Sequence, residues 1–320
     1  MSKIKSTVSK VELHYFFPGD SHSMDALVRN KCESELLAIM KEISSVTGAR
    51  LKVETEAFNV GGLVERFVLH AKNELMQGVV AEILSQVLVQ EVDLKQVMNE
   101  VDKQSRKERV DELRKHLKEV GKEDGGDIDM DAVLNVFYNN LKLIKLKSNF
   151  YKHLQGYDKV TKYSVQILDD NNKSLKRATV VSRNQFVKYI LETDTLKPET
   201  DETAVIEIIS PVLKDGNYKW KGLYLKTDRI INFSMKDADF KKEVVSNAVP
   251  FKNGTRIECT LEISRKVNEF GEMTVTGYSV PLVVKKQDDE VAVETTQGKT
   301  VRKKKEAERQ QLDLFGSLFG

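Results

Sequence analysis

The strongest constraint on the fold is a strict alternation of apolar and polar side chains late in the chain. Four apolar residues are separated by single polar ones, namely Ile257, Cys259, Leu261 and Ile263. This period of two is typical of a β-strand with one buried face. Asn253-Gly254, shortly before the run, is a strong signal for a two-residue hairpin turn. The sequence therefore predicts antiparallel strands in this half of the chain.

The second predicted domain, residues 158–286, repeats this kind of segment. Residues 205–209 form an apolar run that ends before Pro211, and residues 273–284 follow a turn as another strand. Residues 183–191 have the apolar spacing of a short helix. Short strands divided by turns, with one or two short helices, predict a small β-barrel or sandwich.

The first predicted domain, residues 8–154, mixes the two periods. Residues 10–17 and 51–58 alternate like strands, whereas residues 63–89 are predicted to form one long helix or two. The highly charged residues 93–120 predict an exposed helical arm. The fold class is therefore α+β, with a mostly helical first domain followed by a β-rich domain.

Composition excludes several classes of protein. The chain has 320 residues, a net charge of +2 and two cysteines, so neither a disulfide framework nor a thiolate metal site is expected. No signal peptide follows Met1, and the apolar stretch of residues 75–89 is too short and too polar to span a bilayer. We therefore predict a cytoplasmic protein without membrane association. No cofactor fingerprint is present, and the oligomeric state is left open.

Residues 287–320 are predicted to form a flexible tail that carries a docking peptide. Residues 287–309 are mostly polar and charged, a composition that cannot form a core. Five large apolar side chains follow within ten residues: Leu312, Leu314, Phe315, Leu318 and Phe319. Burial stabilises each such side chain by roughly 1.5–3 kcal/mol. These residues are therefore expected to bury on a partner protein or, alternatively, on the chain's own core.

The pentapeptide in this tail points to a specific partner. Gln311-Leu312-Asp313-Leu314-Phe315 resembles, at all five positions, the peptide by which bacterial replication and repair proteins dock on the β sliding clamp. The resemblance implies that Leu314 and Phe315 fill a hydrophobic pocket, that Leu312 adds contact and that Gln311 forms a hydrogen bond at the rim. It covers these five residues only, and no family is recognised for the remainder.

A short basic run lies just before the pentapeptide. Arg302, Lys303, Lys304 and Lys305 are candidate contacts to DNA phosphates near a clamp that encircles DNA. Four charges are equally typical of a solvated flank. A second basic stretch, Lys219 to Lys226, alternates lysines with Trp220 and Tyr224. Because a strand has a period of two, we predict that these aromatic rings face inward and the lysines outward.

Three carboxylates in the first domain are weak candidates for a catalytic site. Glu54 and Glu56 lie two apart on one predicted strand face, as paired carboxylates do in metal-dependent nucleases, and Glu65 follows nearby in the chain. Such a site needs a third convergent acidic group, and a solvated strand face explains the pair more simply. No metal site is predicted.

These observations favour an accessory protein without enzymatic activity, of bacterial DNA replication, DNA repair or antiviral (phage) defence, that docks on the sliding clamp. The predicted partners are the β clamp and, in addition, DNA. The alternative is a clamp-targeted, metal-dependent nuclease or other nucleic-acid enzyme with its site in the first domain. A third hypothesis is a structural subunit whose tail docks on a different protein.

Overall fold

The fold consists of two compact units. The computed structural model describes residues 8–19, 23–56, 63–71, 74–91, 103–120, 128–214, 216–246, 249–288, 291–295, 297–300, 302–304 and 306–307. Of these, the residues up to Asp194 and the segment Val267–Met273 form the first unit. Residues Thr195–Lys266 and those from Thr274 onward form the second unit.

The first unit contains an antiparallel five-stranded sheet with the strand order β2-β3-β1-β4-β5. Its strands are β1 (Val8–Phe16), β2 (Lys52–Glu56), β3 (Leu63–His70), β4 (Lys162–Asp169) and β5 (Thr179–Ser182). The central strand β1 directs Val11, Leu13 and Tyr15 into the core, where each is at most 1% exposed. Its even-numbered residues lie on the opposite sheet face, because side chains of a strand alternate between the two faces.

Helices cover the core side of this sheet. They are α1 (Ala26–Thr47), α2 (Glu74–Val89), α3 (Lys103–Val120), α4 (Met130–Tyr138) and α5 (Leu141–Gln155). The carboxylate of Asp25 caps α1 by accepting hydrogen bonds from the backbone N–H groups of Leu27 and Val28, at 2.8 and 3.1 Å. Gly48 ends the helix with φ of +72°, a left-handed conformation that glycine adopts without strain. No helix in the described part of the chain is long and apolar enough to cross a membrane.

The prediction of a helix from residue 63 was wrong for its first third. Leu63–His70 is strand β3, which pairs with both β1 and β2, and only Glu74–Val89 is helical. The period of two was hidden because Val64 and Val68 are apolar residues on the outer face, next to the inward-facing Phe67 and Leu69. Apolar residues on both faces of a strand resemble a buried helix in sequence.

The boundary between the units also differs from the one expected at residues 154–158. Strand β4 pairs with β1 along its whole length, and β5 pairs with β4. Tyr163, Val165 and Ile167 of β4 are at most 5% exposed in the core of the first unit. The helix predicted at residues 183–191 is the 3₁₀ turn Arg183–Tyr189, which belongs to the same unit. The first unit therefore continues to Asp194.

The second unit is a closed five-stranded barrel. Its strands are β6 (Thr195–Ser210), β7 (Trp220–Tyr224), β8 (Arg229–Met235), β9 (Arg256–Val267) and β10 (Met273–Asp288), and α6 (Ala238–Val245) lies between β8 and β9 in sequence. The order around the barrel is β10-β8-β7-β6-β9, and β9 closes it by pairing with β10. The pair β8–β10 is parallel, whereas β6 is antiparallel to both β7 and β9. The predicted α+β class, with a barrel in the second half, is confirmed.

Aromatic rings fill one end of the barrel. Trp220 is 1% exposed and contacts the rings of Phe233, Phe240 and Phe251, with centroids 5.5 to 6.3 Å apart. Helix α6 begins at Asp237, whose carboxylate accepts hydrogen bonds from the backbone N–H groups of Phe240 and of Val283 on β10. Asp237 therefore joins the start of α6 to the barrel wall.

The barrel unit includes residues that were predicted to belong to the flexible tail. Strand β10 continues to Asp288, and residues 285–288 pair with β11 (Val291–Glu294). Residues 297–300, 302–304 and 306–307 are helical, and we call them the C-terminal helical segment. The sequence prediction failed because Val291 and Val293 are exposed valines in a polar stretch, so the hairpin depends on backbone pairing rather than on an apolar face.

Candidate functional site

The pentapeptide Gln311–Phe315 and Lys305 lie outside the described residues, so the geometry below concerns the other candidates. Arg302, Lys303 and Lys304 are in the C-terminal helical segment and are exposed. Arg302 Nε lies 3.4 Å from Glu294 Oε1 on β11, whereas Lys303 and Lys304 make no ion pair with any described residue. Of the basic run, these two lysines are therefore available for an anionic partner.

Specific contacts hold the start of the C-terminal helical segment on the barrel. Thr295 Oγ1 donates to the carbonyl oxygen of Val283 at 2.6 Å and accepts from the backbone N–H of Gly298 at 2.9 Å. Gly298 lies so close to β10 that a Cβ atom there would be 2.1 Å from the carbonyl oxygen of Val284. Gln297 Nε2 donates to Asp239 at 2.8 Å. Thr295, Gln297 and Gly298 therefore attach the segment to the barrel unit.

A cleft of about 660 Å³ lies between the C-terminal helical segment and the barrel wall. The segment contributes Gly298, Arg302 and Glu306, which lie four residues apart and so share one helix face. Opposite them are residues of β6, β9, β10 and β11. Two pairs of charged groups line the cleft: Lys285 Nζ lies 3.0 Å from Glu258, and Arg302 Nε lies 3.4 Å from Glu294. The cleft therefore has a charged lining in which these four charges are paired.

Glu54 and Glu56 face outward on the edge strand β2, and both have basic partners. Glu54 lies 2.5 Å from Lys52 Nζ and 3.1 Å from His70 Nε2. Glu56 lies 2.9 Å from Arg66 and 3.1 Å from Lys10, and the hydrogen bonds from these two cations lower the pKa of its carboxyl group. Hydrogen bonds from Lys52 and His70 likewise lower the pKa of Glu54. Both groups are therefore held as paired carboxylates.

Glu65 lies on the other face of the sheet, away from Glu54 and Glu56. It is 5% exposed on β3, where its carboxylate accepts hydrogen bonds from Arg29 Nε at 2.9 Å and from the Tyr15 hydroxyl at 3.2 Å. Burial raises the pKa of its carboxyl group, against the opposing effect of Arg29. The three predicted carboxylates therefore do not converge. Among the described residues, no group of three or more His, Cys, Asp or Glu side chains is placed to hold a metal ion.

Glu56 belongs to a row of polar side chains that crosses the outer sheet face. In register across four strands lie Glu56, Arg66, Glu12 and Gln166. Arg66 donates to both glutamates, and Gln166 Nε2 donates to Glu12 Oε1 at 2.5 Å. Arg66 and Glu12 are each only 8% exposed, so the centre of the row is a buried ion pair. This arrangement ties the strands together and leaves no unpaired acid or base for catalysis.

The lysines and aromatic residues near β7 are arranged as predicted. Trp220 and Tyr224 face the barrel interior at 1% and 3% exposure, while Lys221 faces outward. Tyr218, which precedes the strand, is 58% exposed although it has the same parity as Trp220. The alternation of side chains along a strand would place Tyr218 inside the barrel with Trp220. It does not apply to Tyr218, because this residue lies in the loop before the first β7 residue. The presence of Gly216 two positions earlier is the signal that could have marked this loop.

Sequence reasoning also missed a buried lysine in the first unit. Lys147 on α5 is 3% exposed, and its Nζ donates a 2.5 Å hydrogen bond to the carbonyl oxygen of Gln90, just after α2. No described carboxylate pairs with it. Burial lowers the pKa of this amine from 10.5 to about 7. Its neighbour Lys145 is equally buried but forms a 2.7 Å ion pair with Asp194.

Comparisons with known proteins assign no family to the chain. No family model matches the sequence, and no curated protein matches it either. Any function must therefore be inferred from the residues of this chain.

Proposed function

We propose that this chain is an accessory protein of bacterial DNA replication or repair that docks on the β sliding clamp through residues 311–315. The observation that carries this proposal is the match of Gln311-Leu312-Asp313-Leu314-Phe315 to the clamp-binding pattern at all five positions. We include phage defence as an alternative context for the same docking. The proposed role is to bring the two folded units to the clamp rather than to catalyse a reaction.

Binding would follow from burial of the apolar side chains of the pentapeptide. Leu314 and Phe315 enter the hydrophobic pocket of the clamp, Leu312 adds contact, and Gln311 forms a hydrogen bond at the rim. Two fully buried large side chains together stabilise the complex by roughly 3–6 kcal/mol, before the cost of ordering the peptide. The loss of both is therefore expected to weaken binding by at least about a hundredfold.

The position of the pentapeptide supports a role for the barrel unit at the clamp. Only residues 308–310 separate Ala307, in the C-terminal helical segment, from Gln311. Even a fully extended chain spans at most about 14 Å over this separation. A clamp bound to residues 311–315 would therefore lie next to the C-terminal helical segment, with Lys303 and Lys304 close to the DNA that the clamp encircles.

Two pairs of variants of the full chain test the proposal. The Leu314→Ala/Phe315→Ala variant is expected to lose at least about a hundredfold in affinity for purified β clamp. The Leu318→Ala/Phe319→Ala variant removes the same residue types just outside the pentapeptide and is expected to weaken binding far less than the first variant. If both variants bind equally well, or the intact chain does not bind clamp at tens of micromolar, the proposal is wrong.

A further inference from the structure

The outer surface of strands β7 and β8 combines cations with exposed apolar residues. We define the β7–β8 face as Lys219, Lys221, Leu223, Ile230 and Asn232. Lys221 is the register partner of Asn232, and Leu223 is the partner of Ile230, so these four side chains form two adjacent rows. Lys219, Lys221 and Asn232 are exposed, and Ile230 has 60% of its surface exposed. The face therefore offers both positive charge and apolar contact.

Among the described residues, most basic side chains on β6, β9 and β10 pair with a carboxylate, with Lys197 and Lys266 as exceptions, whereas the lysines of this face do not. Elsewhere on the described barrel strands and turns, six basic side chains lie within 3.4 Å of a carboxylate: Lys226 with Asp201, Lys236 with Glu262, Arg256 with Glu207, Arg265 with Glu199, Lys285 with Glu258, and Lys286 with Asp288. In contrast, Lys219 and Lys221 make no ion pair with any residue that the structure describes. The same holds for Arg229, which is exposed at the start of β8. These three charges remain free to bind an anionic partner.

Two described acidic residues that adjoin this face, Glu207 and Asp228, do not cancel its charge. Glu207 is the register partner of Leu223 on β6, but its carboxylate is engaged by Arg256 at 3.2 Å. Asp228 lies in the turn between β7 and β8, next to Arg229 and at the opposite end of β7 from Lys219. Positive charge is therefore concentrated at the Lys219–Lys221 end of the face.

An aromatic ring lies at this same end. Tyr218 is 58% exposed, and its ring packs against Gly216, where a Cβ atom would be 2.7 Å from Tyr218 Cε2. Gly216 has φ of +145°, a conformation that other residues rarely adopt, and its carbonyl oxygen accepts a hydrogen bond from Lys241 Nζ at 3.0 Å. The loop therefore holds the Tyr218 ring beside Lys219 while much of its surface stays open to solvent.

We propose that the β7–β8 face and Tyr218 bind single-stranded DNA. Lys219 and Lys221 would contact phosphates, Tyr218 would stack on a base, and Leu223 and Ile230 would pack against bases or sugars. Exposed rings and aliphatic side chains favour a single strand over a duplex, because paired bases keep their faces stacked inside the helix. The six positions from Lys219 to Tyr224 extend roughly 20 Å, enough for about four nucleotides.

The choice of DNA as the ligand rests on the proposed function at the clamp. The binding surface itself is inferred from the barrel residues alone. The experiment therefore uses the full chain without clamp. Binding of a fluorescent oligothymidylate about twelve nucleotides long is measured by anisotropy over a series of salt concentrations. An oligouridylate and a duplex of equal length serve as competitors. We expect saturable binding of the oligothymidylate that weakens with salt, and weaker binding of the duplex.

Substitutions of Lys219, Lys221 and Tyr218 test whether these residues form the DNA-binding site. Lys219→Glu/Lys221→Glu is expected to weaken binding at least tenfold and to reduce the slope of log K against log salt by about 1.4, because two phosphate contacts are lost. The control Lys31→Glu/Lys41→Glu has the same change of net charge on exposed residues of α1 and is expected to retain binding. Tyr218→Ala is expected to weaken binding about tenfold, whereas Tyr218→Phe retains the stacking ring.

The outcomes separate this proposal from its competitors. The proposal is overturned if the intact chain does not bind the oligothymidylate at tens of micromolar in low salt, or if Lys219→Glu/Lys221→Glu behaves like the control. Loss of binding in Lys303→Glu/Lys304→Glu instead would move the contact to the C-terminal helical segment. A strong preference for the oligouridylate would replace DNA by RNA. Leu314→Ala/Phe315→Ala is expected to bind DNA normally, so failure at the clamp and failure at DNA are distinguishable.

Discussion

Lys147 provides a test of the first unit that depends on a single buried amine. Burial on α5 lowers the pKa of its ammonium group from 10.5 to about 7. Between these two values the unfolded chain holds a proton that the folded protein has released. Because stability rises with pH wherever the unfolded state binds more protons, the free energy of unfolding is expected to increase from pH 7 towards pH 10.5.

The magnitude follows from the size of the pKa change. The shift corresponds to about 5 kcal/mol over the full window, and about 2 kcal/mol of this is gained between pH 7 and pH 9. Replacement of Lys147 by Met keeps the aliphatic stem but removes the amine. The hydrogen bond to the carbonyl oxygen of Gln90 is also lost, at a cost that does not depend on pH. The difference between the two proteins should therefore change by about 2 kcal/mol between pH 7 and pH 9.

Urea unfolding followed by far-ultraviolet circular dichroism is the suitable assay, because helices α1 to α5 lie in the first unit. Trp220, the only tryptophan of the chain, reports on the barrel. Lys147→Met is expected to be stabilised relative to the unchanged chain at pH 7 and less so at pH 9. Lys145→Met serves as the control: it breaks the ion pair with Asp194 and is expected to lower stability at both pH values. Equal pH dependence in the unchanged chain and Lys147→Met would refute this account of Lys147.

Three further substitutions test the packing of the two units. Arg66→Ala leaves the buried Glu12 without its cation and is expected to lower the free energy of unfolding by about 3 kcal/mol, measured by urea denaturation. Trp220→Ala removes the largest ring of the barrel core and should cost about 3–5 kcal/mol, visible as an unfolding transition at lower temperature in differential scanning calorimetry; an unchanged calorimetric profile would contradict the core assignment. Gly298→Ala places a Cβ atom against the carbonyl oxygen of Val284 and should detach the C-terminal helical segment, so that limited proteolysis near residue 300 becomes faster while the barrel stays intact.

Sequence patterns predicted those elements that have one apolar and one polar face. Strand β9 alternates strictly, and all of Ile257, Cys259 and Leu261 are 0% exposed. The inward orientation of Trp220 and the outward orientation of Lys221 follow from the same period. Where the two faces of an element differ in polarity, the local sequence was sufficient to predict the element and the orientation of its side chains.

Other features depend on contacts that are distant in sequence. Strand β4 is placed beside β1 by a pairing of residues about 150 positions apart, which no local pattern records. Strand β3 resembled a helix because apolar residues lie on both of its faces. Lys147 resembled a surface residue of an amphipathic helix, but α5 is packed on several sides, so that Lys145, Lys147 and Ser148 are all buried.

The candidate site residues also differ in whether local sequence or distant contacts determine their surroundings. The carboxylates Glu54 and Glu56 were correctly placed on one strand face, but the Glu56 partners Arg66 and Lys10 come from other strands and could not be foreseen. Glu65 faces the opposite side because it is adjacent on β3 to Arg66, the register partner of Glu56, and side chains alternate between the faces of a strand. The pentapeptide, in contrast, is a linear motif that needs no fold to be recognised.

The most direct test of the central claim is a competition experiment on purified β clamp. A fluorescent peptide comprising residues 308–320 is bound to the clamp, and the unlabelled full chain is then added while anisotropy is recorded. If the account is correct, the full chain displaces the peptide at a one-to-one ratio of binding sites, and the Leu314→Ala/Phe315→Ala chain does not. If the peptide fails to bind the clamp, or if the full chain does not displace it at a tenfold excess, docking through residues 311–315 is contradicted.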